Sequence, residues 1–332
     1  MKVRDEVFKH YFFFIQERMN IFWKRYEGKN AGLTKDPILS RHKFTNVYRA
    51  QDRVSQYLIR NVIYNSDPSL SERDILLRII VFKIFNNIDT WEFLETKLGK
   101  IQIKTFDVSL ISSLLADRIK EIPIFSAAYM MTGTHQKYNS CSSKHEKWLR
   151  MVDCELIKEK RFERILKAGS LGEIFDILSE CSFLGPFIAY QYTVDLNYSD
   201  VIDFDENSFV KAGIGAIRGI KKCFIDKGKY SFEDCIKFTS DNFSSFQDKY
   251  GYNDFKKLFG RDLKLIDLQN CFCETDKYLR VKMPEIAMGN TRIKQKFNKP
   301  KGNINFFFPP KWGINQHIQE CTIKNSEELI LF

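Results

Sequence analysis

Apolar residues recur at helical spacing through most of this chain. The first clear example is residues 5–26, where an acidic first turn leads into an apolar stripe that ends near Gly28. Another helix is predicted from a cap at Ser69 or Ser71 through Asn86, and Thr90 is a candidate cap for a short helix after it. The remaining helices are predicted over 44–64, 91–97, 109–121, 143–166, 169–181, 232–238, 254–259 and 263–280.

Only the stretch Gly99–Val108 favours a strand, and it is too short to indicate a large sheet. The pattern therefore predicts a mainly α protein. No linker is evident, so we expect one compact unit over 1–332. Within it we expect a first helical lobe over about 1–170, a second over about 171–283, and an irregular tail over 284–332.

Residues 183–220 combine two glycine turns with a cluster of acids. Leu184-Gly185-Pro186 predicts a tight turn between two short helices, because glycine permits unusual turn conformations and proline favours the first helical position. A second turn is predicted at Gly213-Ile214-Gly215. The acids between the turns are Asp195, Asp200, Asp203, Asp205 and Glu206. The alternative is an ordinary turn followed by solvated acids, with Asp205 or Asn207 capping a helix near Ser208.

A second polar pattern lies in residues 41–60. At helical spacing one face carries Asn46, Arg49, Arg53, Gln56 and Arg60. Three arginines and two amides on one face are suited to binding phosphates or lining a polar cleft. The alternative is a solvated face in which Asp52 is the charge partner.

Composition adds an expectation about the partner. The 332 residues include 52 Lys and Arg against 42 Asp and Glu, a formal net charge of +10 that favours an anionic partner. Between Lys277 and Lys311 nine basic residues face the single acid Glu285. The aromatic residues interleaved with them are Phe297, Phe306, Phe307, Phe308 and Trp312. This segment is predicted as a nucleic-acid surface with rings for base stacking, or as a basic tail with its rings buried against the core, and the two interpretations are compatible.

The chain has no apolar run of membrane-spanning length and no cleavable signal, so we expect a cytoplasmic protein without a membrane partner. Its eight cysteines form no C-x-x-C pair and are interpreted as reduced, buried residues. We expect neither a metal site nor a cofactor.

Four segments resemble a known family. FTNVYRAQDRVSQYLIRNVIY (44–64), LGPFIAYQYTVDLNYSDVIDFDENSFVKAGIGAIRGIKKCF (184–224), DLQNCFCETDKYLR (267–280) and FFFPPKW (306–312) are similar to predicted alpha-glutamyl/putrescinyl thymine pyrophosphorylases. That family overlaps the helical domain of 5-hydroxymethyluracil DNA kinases. The resemblance implies a helical fold related to helix-hairpin-helix DNA glycosylases, with two lobes around a DNA-binding cleft, and enzymes that act on modified pyrimidines in DNA.

The absence of two motifs limits what this resemblance implies. The sequence contains no G-x-x-x-x-G-K-[ST], so the chain is not itself a P-loop kinase. It also has no lysine at the place where bifunctional glycosylases form a Schiff base. We therefore expect a monofunctional enzyme.

The main hypothesis from the sequence is base excision. An extruded, hypermodified pyrimidine would lose its glycosidic bond to leave an abasic site, as a defence against phage. The candidate catalytic residues are Asp203, Asp205, Asp195 and Glu206, with the two adjacent acids sharing a dry pocket and one of them carrying a raised pKa. The candidate substrate- and DNA-binding residues are Asn46, Arg49, Arg53, Gln56, Gly185, Gln191, Asn207, Gly213, Gly215, Arg218, Lys277 and Arg280.

Two alternatives remain open. An amino acid or polyamine could displace pyrophosphate from pyrophosphorylated 5-hydroxymethyluracil, with Arg49, Arg53 and Arg218 binding the leaving group. The chain could also be a DNA-binding module without catalysis. In each case we expect a monomer on double-stranded DNA with modified bases.

Overall fold

The computed structural model describes residues 1–29, 31–65, 67–126, 132–289, 292–293, 295–297 and 304–318, and it confirms a mainly α protein. Part of the predicted basic tail, including Lys294, Lys299 and Lys301, lies outside the described residues. The described helices are α1 (Asp5–Tyr26), α2 (Pro37–Arg41), α3 (Arg53–Tyr57), α4 (Glu72–Phe85), α5 (Ile88–Leu98), α6 (Val108–Arg118), α7 (Lys144–Met151), α8 (Arg161–Leu166), α9 (Leu171–Ser179), α10 (Pro186–Leu196), α11 (Ile214–Cys223), α12 (Phe232–Asp241), α13 (Phe243–Tyr250) and α14 (Leu265–Lys282).

Two short strands form a small antiparallel sheet. The strands are β1 (Lys2–Val3) and β2 (Phe224–Asp226), with Val3 opposite Phe224. β2 directly follows α11 and thereby ties the start of the chain to that helix. Within the described ranges no helix is both long and apolar enough to cross a membrane.

α1 has the bounds that its periodicity predicts. Asp5 and Glu6 lie in its first turn, where carboxylates interact favourably with the helix dipole, and Lys24 and Arg25 lie in its last. Its buried face includes Phe8 and Tyr11, whose rings stack on Phe272 of α14. This aromatic contact joins the beginning of the chain to the last long helix.

The predicted start and end of α4 are also confirmed. The Ser71 side chain accepts a hydrogen bond from the Asp74 backbone N–H, and the Asp74 carboxylate accepts one from the Ser71 N–H, which makes a capping box. Asn86 ends the helix in the left-handed region at φ 47°. The predicted cap of the next helix is wrong, because Asn87 caps α5 while Thr90 donates its hydroxyl to the Ile124 carbonyl.

The single helix predicted over 44–64 is wrong. A short 3-10 turn occupies Arg49–Gln51, Asp52 is extended at ψ 139°, and α3 then continues into a π-helical segment at Leu58–Tyr64. The break has a local cause, since the Asp52 carboxylate accepts hydrogen bonds from the backbone and side chain of Asn46. Asn46 and Arg49 therefore do not share a helical face with Arg53, Gln56 and Arg60.

Other predicted elements also differ. Gly99–Val108 contains a 3-10 turn at Ile103–Thr105 rather than a strand. The helix predicted over 143–166 is interrupted by Lys160, which has a positive φ of 58°, and begins with α7 and a π-helical segment at Val152–Lys158. Residues 254–259 are not helical, and α13 was not predicted.

α11 and α14 pack closely because two glycines on α11 face the backbone of α14. A Cβ atom at Gly215 would overlap the Cys273 Sγ, and one at Gly219 would overlap the Phe272 carbonyl oxygen. The prediction that Gly215 contacts DNA is therefore corrected, since Gly215 is buried in this helix contact. The close packing brings the polar side chains on the edges of both helices within hydrogen-bonding distance.

Candidate functional site

Arg49, Gln191 and Asp195 were all predicted to be site residues, and the structure brings them together. The Arg49 guanidinium donates two hydrogen bonds to Asp195, at 2.6 Å from Nη1 to Oδ1 and 3.0 Å from Nη2 to Oδ2. Its Nε donates to Gln191 Oε1 at 3.0 Å. All three side chains are buried. Arg49 is thus held inside the protein with its guanidinium bound by Asp195 and Gln191, and its predicted role in binding a leaving group stays a prediction.

A second cation completes this group, which we call the Asp195 centre: Asp195 with Arg49 and Lys83. Lys83 lies on α4, with its Nζ 3.4 Å from Asp195 Oδ2 and 2.7 Å from Asn86 Oδ1. Sequence reasoning missed Lys83. The available signal was a lysine within the otherwise apolar run of α4, where a cation requires a buried partner.

The Asp195 centre also connects to α14. The Arg49 backbone N–H donates to Asp267 Oδ1 at 2.9 Å, and the Arg49 Nη1 donates to the Tyr198 hydroxyl at 3.1 Å. Burial raises the pKa of Asp267 to about 6, although hydrogen bonds from the Lys264 and Arg49 backbones oppose the shift. Burial likewise raises the pKa of Asp52 to about 6. These contacts fix the turn that precedes α3.

An open, polar pocket lies beside α3 and has a volume of about 360 Å³. We call it the arginine–amide pocket. Its lining residues are Arg53, Gln56, Tyr57, Arg60, Asn61, Asn65, Ile88, Ile304 and Asn305. None of these described lining residues is acidic. Three of the five residues predicted for a polar helical face, Arg53, Gln56 and Arg60, therefore do meet at one surface.

One wall of the pocket belongs to the strap, by which we mean residues 304–318. The Phe307 backbone N–H donates to Gln56 Oε1 at 2.8 Å, and Arg60 Nη1 donates to the Asn305 carbonyl at 3.3 Å. Gln56 Nε2 donates in turn to the Ala50 carbonyl at 2.7 Å. Gln56 is therefore fixed in one orientation between the strap and the turn before α3.

The aromatic residues of the strap pack inward. Phe308 is fully buried, and its ring contacts those of Phe259, Phe306 and Trp312. The Arg261 guanidinium lies 3.6 Å from the centroid of the Trp312 ring. Among the described rings of the strap Phe308 is buried, whereas Phe306, Phe307 and Trp312 are partly exposed, so the stacking surface stays a prediction.

The acids predicted to be catalytic do not share a dry pocket. Asp203 is 73% exposed and lies 3.3 Å from Lys311 Nζ of the strap. Asp205 is exposed and accepts a hydrogen bond from the Asn207 backbone N–H. Glu206 pairs with Arg261. Asn207 accepts from the Leu265 backbone N–H at 3.1 Å, so it tethers the loop to the start of α14.

The first glycine turn is present between α9 and α10, as predicted. However, Phe183 rather than Gly185 adopts the left-handed conformation, with φ 69°, and Gly185 has an ordinary φ of −62°. Gly213 precedes α11, and a Cβ atom there would lie 2.9 Å from the Phe187 ring. Both glycines lie directly before the first turn of a helix.

Arg218 and Arg280 meet around Asp276 of α14. We call this group the Asp276 centre: Asp276 with Arg218, Lys222 and Arg280. Asp276 Oδ2 accepts from Arg280 Nη2 at 2.6 Å and from Arg218 Nε at 3.3 Å, and Oδ1 lies 3.0 Å from Lys222 Nζ. The remaining predicted basic residue, Lys277, pairs with Glu274 at 2.7 Å instead.

Comparison with known sequences places the chain in a specific family. The family model described as the helical domain of 5-hmdU DNA kinase matches residues 5–288, and the chain belongs to this family. A 5-hmdU DNA kinase from Bacillus phage SP10 is 26% identical over 320 residues, which are 90% of this chain and 49% of the phage protein. The chain therefore spans about half the length of that relative. No solved structure matches it.

The family corrects the main hypothesis from the sequence. Base excision is wrong, because the related protein is named a kinase, which is a transferase, whereas a glycosylase is a hydrolase. The role of Asp203, Asp205, Asp195 and Glu206 as excision acids is withdrawn with it. The resemblance to the helical domain of the DNA kinases is confirmed, whereas the relation to helix-hairpin-helix glycosylases stays a prediction.

Proposed function

We propose that this chain takes part in group transfer at the 5-hydroxymethyl position of a pyrimidine in DNA. The observation that carries the proposal is the family match over residues 5–288, supported by the relative named a 5-hmdU DNA kinase. The partner is DNA that contains 5-hydroxymethyldeoxyuridine or a phosphorylated form of it. The net charge of +10 agrees with an anionic partner of this kind.

The arginine–amide pocket is the proposed binding site for the modified nucleotide. Its volume lies within the range of roughly 300–1,000 Å³ that is typical of ligand pockets. The amides of Asn61 and Asn65 can each donate and accept hydrogen bonds, as the edge of an extruded pyrimidine requires. Arg53 and Arg60 supply the positive charge that a phosphate on the hydroxymethyl group requires.

The surrounding structure explains how this pocket would be kept in shape. Gln56 is held by the strap on one side and by the Ala50 carbonyl on the other. The Asp195 centre anchors the Arg49 turn that leads into α3. A site held in this way needs little reorganisation when its substrate binds.

Two transfer reactions fit the same bound nucleotide. In the first, the hydroxymethyl oxygen loses its proton and attacks the terminal phosphorus of a nucleoside triphosphate. The bond from that phosphorus to the bridging oxygen breaks, so a nucleoside diphosphate leaves and a phosphate ester remains on the base. In the second, an amine nitrogen attacks the hydroxymethyl carbon of a pyrophosphorylated base and pyrophosphate leaves. The second reaction agrees with a sequence that has no G-x-x-x-x-G-K-[ST] motif.

The test supplies both sets of substrates. The protein is incubated with duplex DNA containing 5-hydroxymethyldeoxyuridine plus ATP, or with pyrophosphorylated DNA plus amino acids and polyamines. The DNA is then digested to nucleosides for mass spectrometry. We expect either a nucleoside heavier by one phosphoryl group or one that carries an amine, with the strands intact. Thymidine DNA is the substrate control.

Variants locate the site. Arg60→Gln is expected to lower the yield of product by about tenfold or more, because it removes a charge-assisted contact. Arg150→Gln removes a partly exposed arginine paired with Glu146 on α7, a helix that contributes no residue to the pocket lining, and should leave the yield unchanged. The proposal would be overturned if neither product formed on any of the modified DNA substrates.

A further inference from the structure

The Asp276 centre contains more positive charge than its surroundings neutralise. Three cationic side chains surround one carboxylate, and both Asp276 and Lys222 are only 2% exposed. Ion pairing lowers the pKa of Asp276 despite its burial, so this carboxylate is ionised. It neutralises one of the three cations and leaves a formal surplus of two.

Helix ends account for part of this surplus. Lys222 lies in the last turn of α11 and Arg280 in the last turn of α14. Each helix C-terminus carries roughly half a negative charge, and the same last turns also contain Lys221 and Lys282, so the two ends offset at most about one cation of the centre. Arg218 lies before the last turn of α11 and is not compensated in this way. At least about one positive charge of the centre therefore remains.

The Arg218 side chain is also incompletely hydrogen-bonded. Its Nε donates the single, long bond of 3.3 Å to Asp276, and the structure of the described residues shows no partner for its two terminal amino groups. The side chain is 28% exposed, so these groups face solvent. Arg280 Nε is buried and likewise has no hydrogen-bond partner among the described residues. The solvent-facing donors of Arg218 are therefore open to an acceptor that approaches from solution, while the buried Arg280 Nε lacks the partner that such a group normally has.

We propose that the Asp276 centre binds a phosphate group through Arg218. Arg280 adds positive charge beside it, with its Nη1 donating to the Arg292 carbonyl at 3.3 Å and its Nη2 to Asp276. The planar guanidinium of Arg218 presents two parallel N–H donors, the geometry that phosphate oxygens match. Asp276 accepts hydrogen bonds from both arginines, and the buried Lys222 supplies further positive charge next to the same carboxylate. The close packing of α11 on α14 through Gly215 and Gly219 sets the distance between the two arginines.

Two sources can supply this phosphate. One is the backbone of the DNA substrate, and this part of the inference rests on the proposed function. The other is a free phosphate or a nucleotide. Both place oxygen acceptors at the same donors, and separate measurements distinguish them.

The first measurement uses inorganic phosphate and the whole chain. Thermal unfolding is followed across a phosphate titration, with sodium chloride at matched ionic strength as the reference. A ligand that binds the native state raises the midpoint of unfolding. Arg218→Gln should weaken the apparent phosphate affinity by about tenfold or more. Lys221→Gln removes a neighbouring, exposed charge of α11 and should leave the affinity as in the parent chain.

The second measurement uses unmodified duplex DNA. The logarithm of the binding constant is plotted against the logarithm of the salt concentration, and its slope should flatten by about 0.9 when a substitution removes one cation bound to a DNA phosphate. Flattening in Arg218→Gln but not in Lys221→Gln assigns the site to the DNA backbone. An unchanged slope with weakened phosphate binding assigns it to a free phosphate or nucleotide.

An equal phosphate response of the parent chain and Arg218→Gln would overturn the inference. If Arg218→Gln does not fold, Arg218→Lys keeps the charge but removes the paired donors, and it should show an intermediate loss of affinity. Neither measurement contains a hydroxymethylated base. Failure of the transfer assay would therefore leave this result intact, and the reverse is also true.

Discussion

The Asp195 and Asp276 centres pair buried carboxylates with more than one cation, yet they differ in what surrounds the cations. In the Asp195 centre, Gln191, Tyr198 and Asn86 take up donors that the carboxylate leaves unused. In the Asp276 centre the terminal amino groups of Arg218 face solvent. The cations of the Asp195 centre have hydrogen-bond partners within the protein, whereas Arg218 in the Asp276 centre has donors left for a ligand. The comparison shows that counting charges alone does not identify a binding site; the unused donors do.

The largest expected effect comes from Asp195→Asn. It leaves Arg49 and Lys83 buried without a counter-charge and should lower the free energy of unfolding by about 3 to 5 kcal/mol, measured by urea denaturation. Added phosphate should not restore the loss, because the centre is closed. Asp203→Asn, at an exposed position, is the matched control and should change stability by less than about 0.5 kcal/mol. A loss as small as that of the control would show that the Asp195 centre is not structural.

Glu155 is a third buried carboxylate to compare with Asp195 and Asp276, because both neutral donors and one cation contact it. Burial opposes its ionisation, but hydrogen bonds from Ser182 and Tyr138, with Lys137 nearby, lower its pKa from 4.5 to about 2. A lowered carboxyl pKa stabilises the protein above pH 4.5, and this stabilisation is lost as the pH falls towards 2. Its size is roughly 3 kcal/mol.

Glu155→Gln should therefore reduce the free energy of unfolding at neutral pH by an amount that shrinks on acidification. Urea denaturation of both proteins at neutral pH and at about pH 3 measures the difference. A gap that is constant with pH would mean that packing, and not ionisation, accounts for the effect of the substitution.

The smallest of the three effects concerns the packing beneath the Asp276 centre. Gly219→Ala places a methyl group against the Phe272 carbonyl oxygen and should force α11 away from α14, at a cost of about 1 to 3 kcal/mol. Phosphate affinity should fall with it. Gly185→Ala is the control, since it meets no atom within 4 Å and has a negative φ. Equal stability of both variants in thermal unfolding would argue against a required close approach.

Local signals predicted much of the fold. The bounds of α1 follow from its apolar stripe, and those of α4 from Ser71 and the left-handed Asn86. The helix predicted over 44–64 failed because one local and one distant contact outweigh its periodicity. Asp52 turns back to Asn46, and the Arg49 backbone is bound by Asp267, 218 positions later. No local pattern contains that partner.

The sequence predicted which residues belong to the candidate sites better than it predicted how those residues are arranged. Arg53, Gln56 and Arg60 do meet in one pocket, and Arg218 and Arg280 do meet at Asp276. The dry pocket predicted for Asp203 and Asp205 was wrong, because spacing from a glycine turn does not report exposure, and both acids lie on the surface. The sequence thus indicated which site residues are charged, whereas their burial and their ion-pair partners could be read only from the structure.

The wide turn at Leu58–Tyr64 has a consequence for comparing related sequences. A π-helical turn holds an additional residue, so a chain with one position fewer here would return to ordinary helical spacing. The wider turn absorbs that residue, so the later side chains of the segment would keep nearly the same facing, and Asn65 would stay beside Arg53 and Gln56. A single-residue gap at this place in an alignment is therefore compatible with an unchanged arginine–amide pocket, provided that its polar residues are retained.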